Sequence, residues 1–195
     1  MSAGTGPGGT MPGRRMMAAA LVALLSPAGA AAQGIGGVLS EAKGGVLAHD
    51  VAFLGDGDEE GVDVNAELLF RGVEVRDYVV DVRPHLGASV STAGDTSQLH
   101  AGLTWRVQPI GWRAWAALAT GAAIHDGETG ELSGRPGRRS AELGSRVLFR
   151  VALELGYDVT DRFTISAIWA HASNANLADR NAGLNNAGLR VGWRF

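Results

Sequence analysis

The chain ends on Ala187-Gly188-Leu189-Arg190-Val191-Gly192-Trp193-Arg194-Phe195. On an extended chain Leu189, Val191, Trp193 and Phe195 fall on one face and Arg190, Gly192 and Arg194 on the other, because strand side chains alternate. The same period recurs upstream. Val147, Phe149, Val151, Leu153 and Leu155 oppose Arg150, Glu154 and Gly156. Leu99, Ala101, Leu103, Trp105 and Val107 oppose His100, Thr104 and Arg106. Val62, Val64, Ala66, Leu68 and Phe70 oppose Asp63, Asn65 and Glu67. Turn signals divide the chain into eight strand-like segments, at 44–54, 62–70, 80–91, 98–107, 111–124, 143–159, 163–171 and 187–195. Gln33 to Lys43 reads as a lead-in to the first of them.

A soluble sandwich also alternates, so the N-terminus has to be weighed with the pattern. Arg14 and Arg15 precede the apolar run Met16 to Leu25; Ser26-Pro27 breaks that run, and the small residues Ala28 to Ala32 follow. This is a secretory signal, expected over 1–32, with Met11 or Met16 as alternative starts. Residues 33–195 then form one domain. The chain has no cysteine, so it carries neither disulfides nor a Cys-based metal site. Its net charge of −3 argues against a nucleic-acid partner. Export, an even strand count and a terminal Phe195 predict an all-β fold, an eight-stranded antiparallel transmembrane β-barrel in the cell outer membrane of a Gram-negative bacterium. The apolar rows should face lipid and the charged rows a narrow lumen, which Arg83, His85, Arg106, Arg150, Glu154, Arg190 and Arg194 would fill, leaving little for a pore.

Loop lengths orient the barrel. Gln108-Pro109-Ile110 and Thr160-Asp161-Arg162 are short, as periplasmic turns are, whereas His125 to Glu142 is long and rich in Gly and Arg. Trp112, Trp115, Trp169 and Trp193 fall near strand ends, where an aromatic girdle sits. The connection after the seventh strand should then lie at the cell surface.

That connection holds the candidate chemistry. His171 and Ser173 lie two apart, on the same face as Phe163, Ile165, Ala167 and Trp169, hence on the outer wall near the membrane interface. A serine nucleophile needs a base within hydrogen-bond reach and donors for the developing oxyanion. Asn174, Asn181 and Gly183 follow in an Asn-rich loop that could supply such donors. His-x-Ser alone is a weak signal, since interfacial strand ends often carry polar residues.

The tail His171-x-Ser173-Asn174-Ala-x-Leu, Asn181-x-Gly183 and Asn186-x-x-Gly-Leu-Arg-Val-x-x-Arg-Phe195 resembles the C-terminal signature of the lipid A 3-O-deacylases, or acyloxyacyl hydrolases. Less specifically, Gly44 to Asp50 and Asp63 to Leu68 resemble the first hairpin of outlying members. The resemblance implies an outer-membrane esterase that removes the ester-linked acyl chain from the 3-position of lipid A without a cofactor or metal. By position, Ser173 would be nucleophile and His171 base, with Asn174, Asn181 and neighbouring backbone stabilising the oxyanion. The family's acid, usually Glu, aligns with Asn185, which can hold an imidazole but lacks the charge to stabilise imidazolium. Asp179 in the same loop is the alternative acid. Asn176 stands where members often have Gly. Expected partners are lipid A of lipopolysaccharide as substrate, the surrounding outer-membrane lipid and, through Phe195, the barrel-assembly machinery; a homodimer stays open. The rival expectation is a non-catalytic surface barrel whose site has decayed at Asn185.

Overall fold

The computed structural model describes residues 37–52, 57–75, 80–130 and 141–195. The expected signal peptide and both alternative starts lie outside the described residues, as does 131–140 of the long connection. Nine strand segments follow in order: β1 Leu39–Ala48, β2 Val62–Phe70, β3 Val73–Val75, β4 Val80–Ser91, β5 Gln98–Val107, β6 Ala114–His125, β7 Val147–Asp158, β8 Phe163–Ser173 and β9 Leu184–Arg194. All neighbours pair antiparallel. β2 pairs with β4, and β1 pairs with β9 from Glu41↔Arg194 to Ala48↔Ala187, so the sheet closes into an eight-stranded barrel. Closure removes the free strand edges, whose unpaired backbone groups lipid could not satisfy.

The ninth segment is a fragment. β3 continues the β2–β4 hairpin through Val73↔Val82, after an interruption at Arg71-Gly72. There the backbone runs so close to Val82 that a Cβ on residue 72 would collide with its carbonyl.

Parity follows the sequence pattern. Val147, Phe149, Leu153 and Leu155 are exposed on the wall, as are Leu99, Leu103, Val107, Leu189, Val191 and Trp193. The lumen is packed with ion pairs. Arg190 bridges Glu67 at 3.2 Å and Glu154, Lys43 meets Glu154 at 2.8 Å, Arg83 meets Glu41 at 3.0 Å, and Arg106 and Arg194 share Asp158.

Two expectations are corrected. The first strand begins at Leu39 and stops at Ala48, so Glu41 and Lys43 are lumenal rather than part of a lead-in. Glu41 and Lys43 point inward and join the lumenal charge network, so the strand extends back through them. Trp115 is not in a girdle; it is buried in the lumen between the cations of Lys43 and Arg106, at 4.8 and 4.5 Å from its ring. It covers its cross-strand partner Gly156, where any Cβ would collide with the indole.

Candidate active site

β8 ends on the wall with His171 and Ser173 on one row, both part-exposed. Their spacing lets the ring reach forward: His171 Nε2 lies 3.0 Å from Ser173 Oγ. Across the β8–β9 pair His171 is opposite Asn185, and Nδ1 lies 2.9 Å from Asn185 Oδ1. An amide oxygen can only accept, so Nδ1 carries the proton and Nε2 offers its lone pair to the serine hydroxyl. Ser173, His171 and Asn185 therefore form one hydrogen-bonded chain that runs from hydroxyl through imidazole to amide. Trp169, one step down the same row, lies parallel to the imidazole, with ring centroids 6.1 Å apart.

The loop after Ser173 turns at once. Leu177 N–H donates to Asn174 C=O at 3.1 Å, and Ala175 and Asn176 have φ of 55° and 61°. Two left-handed central residues define a type I′ turn. Asn tolerates that conformation better than most residues, which accounts for Asn176 at a position that suits Gly.

Asn174 is buried; its Nδ2 donates to Leu143 C=O at 2.9 Å and to Arg180 C=O, and its backbone N–H donates to Asn181 Oδ1 at 2.9 Å. Asn181 Nδ2 donates in turn to Asn176 Oδ1 at 3.1 Å. Both asparagines thus fix the shape of the turn. Gly183, at φ 72°, places its backbone where a Cβ would press on His171 Cε1 at 3.0 Å. Asp179 is exposed in the loop, and Asn185 occupies the place beside Nδ1. Ala141, Leu143, Leu148, Ala172 and Leu184 form a small apolar core behind the site.

A second polar cluster caps the barrel at this end, and the sequence did not mark it as a site. Asn185 N–H donates to Asp50 Oδ1 at 3.2 Å, and Val51 N–H donates to Asn185 C=O at 2.8 Å. Asn186 Nδ2 donates to Asp63 Oδ2, and Asp63 Oδ1 lies 2.7 Å from His49 Nδ1. Glu59 accepts from His49 Nε2 at 2.8 Å and from the N–H and hydroxyl of Thr96. Burial alone would lower the His49 pKa, but carboxylates at both ring nitrogens override it and raise it from 6.5 to about 10. The available signal was the pairing of His49-Asp50 with Asp63 in the first hairpin.

Deeper in the lumen the ligand atoms of Glu67, His85 and His100 lie within 4.8 Å of one another. Arg190 already neutralises Glu67, and Lys43 and Arg150 also act on it, so this is a poor environment for a further cation.

The sequence profile of the lipid A 3-O-deacylase (PagL) family matches residues 88–194, more than half of the chain. The chain belongs to this family. The matched stretch contains His171, Ser173 and Asn185, whereas β1, its loop and β2 precede it. Among solved structures, the outer membrane enzyme PagL superposes with a TM-score of 0.59 at 15% identity, covering 80% of this chain and all of that one. The N-terminal β-barrel domain of Pseudomonas aeruginosa OprF gives 0.54 at 14% identity, over 81% and 99% of the two chains. At such identities the likeness is one of fold: a small outer-membrane barrel. No curated protein gave a sequence match. Family and fold together place this deacylase-family barrel in the outer membrane.

Proposed function

We propose that the protein is a serine esterase that hydrolyses the ester holding an acyl chain on the 3-position of lipid A. The observation that carries this reading is the chain Ser173 Oγ, His171 Nε2, His171 Nδ1, Asn185 Oδ1, with links of 3.0 and 2.9 Å, in a member of the deacylase family.

His171 Nε2 takes the hydroxyl proton as Ser173 Oγ attacks the ester carbonyl. The negative charge on the tetrahedral oxygen is met by the backbone amides of Ala175 and Asn176 at the centre of the turn, whose shape Asn174 and Asn181 hold, while Gly183 leaves room for the ring. The imidazolium returns its proton to the departing sugar oxygen, leaving the acyl chain on Ser173. A water, deprotonated by the same nitrogen, attacks that acyl-serine; the fatty acid leaves and the hydroxyl is restored. Every proton moves among Ser173, His171, substrate and water, so no step calls for a metal or cofactor.

The position of the dyad suits a lipid substrate. His171 and Ser173 top the lipid-facing row Ser173, His171, Trp169, Ala167, Ile165, at the end bearing the long connection, which we assign to the cell surface. Farther down the wall lies an apolar groove of about 1000 Å³, lined by Gly44, Val46, Ile165, Ala167, Leu189 and Val191. An acyl chain could extend into it without leaving the membrane.

The test is deacylation of purified lipid A in detergent by the refolded protein and by Ser173→Ala. Release of a 3-O-linked fatty acid by the former alone supports the reading; release by neither removes it.

A further inference from the structure

His171 Nδ1 faces an amide at 185 rather than a carboxylate, yet a carboxylate holds the backbone of that same residue. Asp50 is 4% exposed and aims both oxygens at backbone: Oδ1 accepts the N–H of Asn185 at 3.2 Å and Oδ2 the N–H of Glu59 at 3.1 Å. Its φ is 45°, the left-handed region, which Asp enters more readily than most residues but not without strain. Val51 N–H, next in the chain, donates to Asn185 C=O at 2.8 Å, so the loop after β1 grips Asn185 from both sides of its peptide. Asn185 itself is 0% exposed, and its partner His171 lies on the wall side.

We propose that Asp50 is the displaced acid of this site, a positioning residue that holds Asn185 against His171 and supplies the negative charge that Asn185 lacks. This rests on the esterase reading. Asp50 does not touch the imidazole; it acts through Asn185, whose peptide it anchors. As Ser173 gives its proton to Nε2, the charge arising on the ring is met by Asn185 Oδ1 and, behind that residue, by the Asp50 carboxylate. The charged neighbours of Asp50 are His49 and Glu59 of its own loop, with Asp63 of β2 beyond His49. Glu59 and Asp63 pair directly with His49, whose charge also acts on Asp50 and favours its ionised form. Burial pushes the Asp50 carboxyl upward, and the N–H donors of Glu59 and Asn185, the His49 charge and the Asp58 N–H counter it only in part. The family match begins after Asp50, so the compensating group comes from the part of the barrel that the match does not cover.

The arrangement also gives a reason for Asn at 185. A glutamate there would bring a second carboxylate against Asp50 in a buried setting, where like charges repel strongly.

The test uses the mature chain refolded in detergent micelles, with Asp50→Asn, Asn185→Glu and the double variant. Asp50→Asn keeps the shape and an acceptor for the Asn185 N–H, and removes the charge. It should lower kcat about tenfold with KM unchanged, the split expected of a group that acts on the transition state rather than on binding. Asn185→Glu alone should gain nothing, whereas Asp50→Asn with Asn185→Glu should recover at least the wild-type kcat. If Asp50→Asn leaves kcat unchanged, or lowers it only together with a rise in KM, or if Asn185→Glu acts equally with and without Asp50, the proposal is overturned. Should Asp50→Asn not fold, Asn185→Glu decides alone, and a rate gain of about tenfold or more would refute it. An inactive wild type would remove the esterase reading, and this proposal with it; an active wild type indifferent to Asp50→Asn would remove the role of Asp50 alone.

Discussion

Asn185 accepts the Nδ1 proton of His171 across the β8–β9 pair, at 2.9 Å. The bond selects the tautomer in which Nε2 faces Ser173 with a lone pair. Asn185→Ala should therefore lower the deacylation rate by about 10³–10⁴-fold, since the imidazole loses the acceptor that sets its orientation. Initial rates with matched amounts of folded barrel check this, and a loss smaller than tenfold would make the bond incidental.

Ala167 is small where its row crosses the wall groove. Ala167→Phe should obstruct a long acyl chain, raising KM for long-chain substrates about tenfold while leaving short-chain esters unaffected, because remote contacts contribute binding rather than chemistry. Equal effects on both chain lengths would show that the chain takes another course.

His49 is held between Asp63 and Glu59 with all three side chains buried. With a folded pKa of about 10 against 6.5, its stabilising contribution is complete below pH 6.5 and is lost as pH rises through about 10. The Glu59 carboxyl is lowered: burial opposes this, but the His49 bond and the Thr96 donors outweigh it. Its contribution is complete above the ordinary carboxyl value of 4.5 and falls away as pH drops through the folded value. Unfolding by denaturant in micelles should therefore show stability declining from neutral pH toward pH 11. His49→Gln should remove on the order of 3–5 kcal/mol by stranding buried carboxylates. A flat profile would contradict the buried ion-pair assignment.

The barrel was legible because alternation and turn spacing agree on it, and because charged rows such as Arg150 and Glu154 have nowhere to go in lipid except inward. Trp115 was misread because an aromatic near a strand end looks alike on either face until its register with Gly156 is known. The dyad was visible in the two-residue spacing of His171 and Ser173. The residues behind it were not, since Asp50 and Asn185 are 135 positions apart and meet only when β1 closes against β9.

Phe195 is exposed on the outer wall, and its N–H donates to Ser40 C=O at 3.1 Å. Removing it loses one backbone bond at the end of the terminal strand, a small loss of about 1 kcal/mol. If the terminal aromatic is read by the assembly machinery, deleting Phe195 should reduce the amount in the outer membrane far more than it reduces stability after refolding. Undiminished membrane levels would make β9 an ordinary last strand.

The most direct test of the account is mass spectrometry of lipid A from Gram-negative cells expressing the protein, its Ser173→Ala variant or neither, with equal folded barrel in the first two. The account predicts loss of the 3-O-linked acyl chain with the wild type alone. Unaltered lipid A with the wild type, both in cells and after extraction into detergent, or full deacylation by Ser173→Ala, would contradict it.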